Sequence, residues 1–491
     1  MGYQVTQTDM QVLRQSNQIT YIKAELLNKQ FQIIDELQGE LIDGNHSVSA
    51  ESDIRSTADA TFIVKDKSYL VNQTSKIWLD KYVRLYIGVL HQRSQEILWY
   101  PMGTFLFNEN SYSYDSTTKT LSVNLLDLMS NLTGIRNGQV KGLSHIISAE
   151  TDIRSAMIST LTEGGVAVNY IIDDIEKTVP YDLEFGTGAT VHEMVAELRD
   201  LYPAWETYFD DTTFICKPIP TCIDDDIVID AVTLEPLVIN ENLSNSFENV
   251  KNVTDVWGKC IDADRYADTS TNTGTQYNIT LADYTLTSGD LIGFKTNIAT
   301  ASSTLKINTE TVYPIVKSDG TTIALEANKS YVVKFSSSDG KFYYQGQFQI
   351  HAIVKEFSVE PTTEFKTQDI IDEGTTNIKY IINPDSPYCV DKIGEVRQVL
   401  SGGEYENIYT EELCMQRAEY ENWKATRLQD SINIETIMIP WLTVNQKIEY
   451  KSKTTGETQQ YIIKSINRAL SAWTQTVEMI RFYPLYPFVV E

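Results

Sequence analysis

Basic charge is scarce in this chain: 40 Lys and Arg stand against 67 Asp and Glu, for a formal net charge of −27 over 491 residues. Phosphate recognition needs a basic footprint, so a nucleic-acid-binding surface is not expected, and neither is docking on an anionic membrane. The default reading of such a charge is solubility of a large particle component; the sharper one is an acidic wall along which DNA passes without sticking. Cysteine is also sparse. Cys216, Cys222, Cys260, Cys389 and Cys414 are scattered and odd in number, which gives neither a disulfide framework nor a metal-ligand pattern. They read as small buried residues of a protein folded in a reducing cytoplasm. No run of about 18 apolar residues occurs, and Met1 to Gln18 lacks an apolar core, so neither a membrane span nor a signal peptide is expected.

The catalytic signatures are missing too. His46, His91, His145, His192 and His351 are far apart in sequence and form no zinc motif. His192, beside a helix cap, reads as a surface residue. A Walker loop, a dinucleotide fingerprint and a Gly-x-Ser-x-Gly elbow are all absent, and Cys389 has no flanking signature of a peptidase nucleophile. Asp262, Asp264 and Asp268 take positions 1, 3 and 7 of a would-be calcium loop, but Ala267 stands where Gly is needed and Thr273 where Glu is needed. That stretch reads as a solvated linker, and Asp224, Asp225 and Asp226 as a polar turn. No catalytic, cofactor-binding or metal residue is assigned, and no cofactor.

The apolar fraction of 42% is that of a folded protein, and the length suggests roughly three to four domains. Tyr, at 28 residues, is abundant and suits half-buried strands and large interfaces. Residues 1–138 read as strands: Ala58, Ala60, Phe62 and Val64 alternate with polar residues, as does Tyr82 to Gly88. Residues 139–220 read as a small α/β domain, with a helix at about 150–162 ending at Gly164-Gly165. A second helix, 191–201, starts from a Thr190/Glu193 capping box, and a hairpin follows around Asp210-Asp211. Strands return at 221–267. Residues 268–349 then form a Thr/Ser/Asn-rich inserted small β module that opens on the linker Thr269 to Gln276, with turns at Asp319-Gly320 and Asp339-Gly340. Residues 350–491 carry a strand at 377–382, a helix at 411–428 capped by Thr410, further strands and a Pro-interrupted tail, Tyr483 to Pro487.

The same β unit occurs twice. The C-terminal copy has Trp441-Leu442, alternating Ile448 and Tyr450, then strands Gln460 to Ile466 and Thr476 to Phe482. The N-terminal copy has Trp78-Leu79, alternating Val83 and Leu85, then Thr104 to Asn108 and Thr120 to Leu126. An offset of 356 lays Leu121, Val123 and Phe107 onto Val477, Met479 and Ile463, with equal loop lengths expected. Alternating strands also align by chance. A duplicated unit points to assembly rather than chemistry.

The run "LCMQRAEYENWKATRLQDSINIETIMIPWLTVNQKIEY", followed by "TVEMIRFYPLYP", resembles the last barrel of tail-hub proteins of bacteriophages and phage-like particles. "DIRSTADATFIV", "WYPMGTFLFNENSYSYD…LSVNLLDLM" and "LYPAWETYFDDTTFICKP" extend that resemblance, so that about 400 residues are touched. The segments are individually degenerate; their order is the specific part. The resemblance implies a mainly β fold with α+β parts: two tail-tube-like β-barrels (1–138, and 221–267 with 350–491), a small α/β domain and the insert. It implies a homotrimer whose six barrels match a sixfold tube, with Trp78, Leu79, Trp441 and Leu442 as barrel packing positions. It further implies a virion-tail component, assembled in the host bacterial cytoplasm, that is not an enzyme. Its partners would be the tail tube or distal tail protein, the tape-measure protein and other tail-tip or baseplate proteins, with DNA only in transit. The insert resembles small β modules of tail fibres, so host glycan is a further candidate partner. Its aromatic cluster Phe342, Tyr343 and Tyr344 reads equally as core. The alternatives are a receptor-binding protein acting through that insert, and a tail-associated cell-wall lysin.

Overall fold

A computed structural model describes residues 5–38, 41–64, 67–108, 113–142, 144–163, 169–179, 182–201, 204–261, 263–269, 271–408 and 410–484. The chain divides into two compact units, residues 1–248 with 428–491 and residues 249–427. The fold is mixed and dominated by strands, and among the described residues no helix is long and apolar enough to cross a membrane.

The first unit is built on a 13-stranded sheet. Its strands are Thr20–Leu27 (β1), Ile33–Gln38 (β2), Leu41–Ser49 (β3), Ser56–Ile63 (β4), Tyr82–His91 (β5), Glu96–Phe107 (β6), Ser113–Asp115 (β7), Thr120–Asp127 (β8), Val238–Ser246 (β9), Gln429–Ile437 (β10), Lys447–Lys451 (β11), Thr458–Ala469 (β12) and Thr474–Arg481 (β13). They lie in the order β9-β10-β13-β12-β3-β4-β8-β6-β5-β1-β2, with β7 on β8 and β11 on β12. Every pairing within this sheet is antiparallel.

Two five-strand sets in this order correspond. β3-β4-β8-β6-β5 and β9-β10-β13-β12-β11 have the same neighbours and run through the chain in the same sequence. β8 and β13 alternate in phase, with Leu121, Val123 and Leu125 buried in one and Val477 and Met479 in the other. A short helix packs on the matching strand in each set, Gln7–Leu13 on β5 and Ala231–Leu234 on β11. A single hydrophobic cluster runs beneath both sets, through Phe62, Leu121, Ile434 and Val477.

Three expectations change here. The strands assigned to two separate barrels join one sheet, because β3 pairs with β12. The common offset fails in the leading strands, where Phe107 pairs with Leu125 but Ile463 with Met479, although the turns 116–119 (β7 to β8) and 470–473 (β12 to β13) are both four residues long. The Trp-Leu pairs are not equivalent. Trp441 is 7% exposed and Leu442 is buried, while Trp78 is half-buried and Leu79 is 51% exposed. In the N-terminal copy it is Ile77, 3% exposed, that enters the core cluster beside Trp78.

The remainder of the first unit holds helices Ile153–Glu163 and Val191–Asp200 over a separate apolar cluster that includes Met157, Val191, Leu198 and Phe214. Thr190 caps the second helix, its Oγ1 accepting from the Glu193 amide at 3.1 Å while Glu193 Oε2 accepts from the Thr190 amide at 2.7 Å. Trp205–Asp210 and Thr213–Pro218 form the hairpin, with Asp211 at φ 52° in its turn. Gly164-Gly165 lies outside the described residues.

In the second unit Ile378–Ile382, Gln349–Phe357, Val253–Cys260 and Arg397–Leu400 form a four-stranded sheet in that order. Helix Glu411–Ala425 packs on its two central strands, so the helix expected in the second barrel belongs to this unit, with residues 249–267 and 350–427 around it. Helix Thr363–Glu373, absent from the sequence reading, is capped by Thr362 and ends at Gly374 with φ 69°. An eight-stranded sheet between Arg265 and Gln347 surrounds its own cluster of Tyr277, Phe294, Leu305, Ile315, Val333 and Phe342.

Candidate functional site

The feature that a duplicated sheet offers to function is the seam where its two sets meet. There Ser465, Ile466, Asn467, Arg468 and Ala469 pair with Ser49, Val48, Ser47, His46 and Asn45. Ile466 and Val48 are buried and face the core. Gly44 stands at the end of this ladder, its carbonyl accepting from the Leu470 amide at 3.0 Å. A Cβ at Gly44 would lie 2.5 Å from the backbone oxygen of Asp59, so this position requires glycine for close approach of the chains.

Polar groups buried beside the seam hold one another. The Arg468 guanidinium contacts His46 Nδ1 at 3.0 Å and donates to the Leu442 carbonyl, and His46 Nε2 lies 2.8 Å from Ser56 Oγ. Burial, reinforced by Arg468, holds the His46 imidazole well below its ordinary range, so it is neutral; burial brings Arg468 down to about 10. Asp127 accepts from the amides of Ser56 and Met129 at 2.8 and 2.9 Å, yet burial pushes its carboxyl up to about 6. Arg55 donates to Glu206 at 2.7 Å and to the Val444 carbonyl at 2.9 Å, with the Tyr208 ring 4.0 Å away, and Asn445 donates to the same carboxylate at 2.6 Å. These contacts fasten the β3–β4 turn, the 205–218 hairpin and the loop before β11 together. A cleft of about 160 Å³ opens beside them, lined in part by His46, Arg55, Asp127, Tyr208, Trp441 and Arg468. Their mutual pairing suits a lock between strands better than a reaction centre.

The sheet's second-set edge differs from its seam. β9 pairs on one side with β10, and Glu241 secures it by accepting from Tyr450 Oη at 2.5 Å, Ser452 Oγ at 2.9 Å and the amides of Lys453 and Thr454 at 2.9 and 3.1 Å. Burial opposes the charge on Glu241, but these donors outweigh it and bring the carboxyl down to about 2. Just beyond β9, Phe247 is 80% exposed.

The residues singled out by sequence scatter. His91 Nδ1 lies 2.7 Å from Ser94 Oγ, His145 2.8 Å from Glu163, and His351 stacks on Trp257 with ring centroids 3.9 Å apart while contacting Asp255. His192 is half-buried rather than on the surface, 3.8 Å from Asp53, and burial lowers its pKa. Cys216, Cys389 and Cys414 are buried, and burial raises all three thiols, Cys216 and Cys414 to about 12, far from thiolate chemistry. Cys222 is exposed, against expectation, and the Cys260 side chain lies outside the described residues. Asp262 lies outside them too. Residues 265–268 and 271–273 are strands instead of a solvated linker, and Asp264 accepts from the Leu291 amide at 2.7 Å. Asp225 closes a turn by accepting from the amides of Thr221 and Cys222, both at 2.7 Å. Phe342 is core, Tyr344 packs on Tyr331 at 5.9 Å, and Tyr343 donates to Asp339 at 2.6 Å.

A constellation that sequence reasoning missed lies in the second unit. Asp369, Glu373 and Glu395 bring carboxylate oxygens within 4.8 Å of one another, as a cation site would. The Lys355 ammonium, 1% exposed, already sits among them at 2.6, 2.8 and 2.9 Å. Burial opposes its charge and the carboxylates overcome it, raising its pKa. Arg397 and Lys355 bring Glu373 down to about 2 against burial. The signal was a lone Lys inside an apolar strand, "HAIVKEF". This is an internal ion-pair network occupied by its own cation.

A family model described as a domain of unknown function (DUF5048) matches residues 385–486, spanning the end of the second unit and β10–β13. Comparison with curated proteins gave no match. Among solved structures, a 43 kDa prophage tail protein from Shewanella oneidensis is 11% identical with a TM-score of 0.47, over 96% of this chain and 100% of that one. A tail protein from Neisseria meningitidis is 7% identical with a TM-score of 0.45, over 95% and 98%. A prophage tail protein from Listeria monocytogenes is 8% identical with a TM-score of 0.44, over 96% and 97%. At these scores the likeness carries no argument about what this chain binds or does.

Proposed function

We propose that the chain is a non-enzymatic hub subunit of the tail tip or baseplate of a bacteriophage or phage-like particle, joining tail tube to tip. The observation that carries this reading is the duplicated five-strand motif in one sheet, β3-β4-β8-β6-β5 and β9-β10-β13-β12-β11. One polypeptide with two such motifs, repeated by a threefold axis, presents six similar units to a sixfold tube. The sequence resemblance to tail-hub proteins points the same way. In this reading the tape-measure protein and DNA pass through the ring, and the net charge of −27 lines the passage with acid. The eight-stranded sheet is then an inserted module used as a spacer or for a host glycan.

Native mass determination with imaging of the purified particle tests this. A trimer with six similar units around a channel is expected; a dimer, or motifs unrelated by an approximate sixfold axis, overturns the hub. A strongly basic channel overturns only the role given to the charge.

A further inference from the structure

The seam within the chain specifies a second seam between chains. β7 continues the line of β6 and pairs with β8 through Ser113↔Ser122, Tyr114↔Leu121 and Asp115↔Thr120. β12 pairs with β13 through Ser465↔Glu478, Ile466↔Val477 and Asn467↔Thr476. With Leu121 matching Val477, residues 113–115 of the first set correspond to 465–467 of the second. Residues 465–467 are the ones that pair with Ser49, Val48 and Ser47 in the seam. On the other side, Ala60 matches Ile432, and their partners are Gly44 and Leu243. Ser47, Val48 and Ser49 therefore correspond to Ser246, Phe247 and Glu248. The second set thus carries at β9 a counterpart of β3, and the first set carries at β7 a counterpart of the strand that β3 pairs with.

We propose that residues 246–248 of one chain, the last residue of β9 and the bend and turn residues that follow it, pair antiparallel with β7 of a second copy of this chain, in the register that β3 and β12 use within the chain. Tyr114 then lies opposite Phe247, Ser113 opposite Glu248, and Asp115 opposite Ser246. Two observations support this beyond the correspondence. Tyr114 and Phe247 occupy the places of Ile466 and Val48, which face the core and are buried, yet they are 36% and 80% exposed in the single chain. Neither β9 nor Phe247-Glu248 beyond it contains Lys, Pro or Gly, residues that natural edges use to discourage pairing. Opposite each other, the two rings form an aromatic cross-strand pair, and no like charges meet in this register.

The pairing rests on the duplicated sheet; only its closure into a ring of three rests on the hub reading. The test uses the full chain with Cys222→Ser, carrying Asp115→Cys and Ser246→Cys together, oxidised and run on a denaturing gel, with each single cysteine variant as control. Interchain disulfides in the double variant and none in either single variant are expected. Phe247→Asp, at a site too exposed to matter for folding of one chain, is expected to weaken assembly at least about tenfold in a dilution series. A trimer that gives no cross-link, or is indifferent to Phe247→Asp, overturns the pairing and leaves the hub reading standing. Cross-linked dimers or open ladders support the pairing and overturn the hub. A chain that stays monomeric at high concentration without cross-links overturns both.

Discussion

The two sets of the large sheet make the same connection in very different ways. β3 reaches β4 through residues 50–55, whereas β9 reaches β10 only after the whole second unit. Yet β9 and β10 keep a ladder from Asn240↔Glu435 to Ser246↔Gln429, as regular as that of β3 and β4. Register in this sheet is set by which face is buried and by the neighbouring strands, and the turn is replaceable. The sets also differ in exposure: β3 is interior and carries Gly44 where β9, at the edge, carries Leu243. The crowding at Gly44 comes from the Asp59 backbone of β4, its neighbour within the set, so β3 approaches β4 there more closely than a side chain allows, whereas β9 carries Leu243 beside Ile432 of β10.

The largest effect separates the two tryptophans. Trp441→Ala removes a ring from the core, 5.9 Å from Tyr100, and is expected to cost about 3–5 kcal/mol in urea unfolding. Trp78→Ala, at a half-buried site, is expected to cost about 1–2 kcal/mol; equal losses would restore the equivalence that the exposures contradict. Next, Gly44→Ala should cost about 1–3 kcal/mol by crowding the Asp59 carbonyl, and Leu243→Ala, half-buried at the edge, less. A neutral Gly44→Ala would show that β3 and β4 have room to part at this point.

The carboxylates of the two sets should answer pH with opposite sign. Glu241 sits at about 2 against an ordinary 4.5, so its contribution is present above about 4.5 and is lost as pH falls from there towards 2. Asp127 sits at about 6 against an ordinary 3.8, so its contribution is full below 3.8 and is lost as pH rises through 6. Glu241→Gln should flatten the acid limb of a melting-temperature profile, and Asp127→Asn the slope between about pH 4 and 6; profiles unchanged from the parent would refute both assignments. The smallest effect is expected where the change is largest in length. Replacing 248–428 with a six-residue turn should leave the first unit folded, with a melting temperature within a few degrees of the parent's first transition, because loop length costs little. Insoluble protein would show that the second unit is needed for the sheet.

The sequence made the alternation in Leu121, Val123, Val477 and Met479 legible, and with it the duplication, because period-2 burial is a local signal. The Trp-Leu match misled, since identical residues at 78 and 441 say nothing of what surrounds them. The joining of both sets into one sheet was hidden: Ser49 and Ser465 pair across more than 400 residues, and no local pattern encodes a partner that far away. Helix Glu411–Ala425 was recognised from its cap, but its packing partners, strands 253–260 and 349–357, were not. Among candidate sites, the absence of motifs was readable; the seam cluster of His46, Arg55, Asp127 and Arg468 was not, because its members come from four separate stretches of chain.

The seam also fixes an order of events in synthesis. β3 emerges early, but its outer neighbour β12 is made only after some 400 further residues, so the first set must wait with Gly44, His46 and Val48 along an uncovered edge. The gap between β9 and β10 is about thirty times longer than that between β3 and β4, and closing it as a loose loop would cost about 2 to 3 kcal/mol more. If residues 249–427 fold first and bring their ends together, that penalty falls away. The second unit would then serve the ribosome-bound chain as a clamp that delivers β10 to β9, before β12 arrives to cover β3.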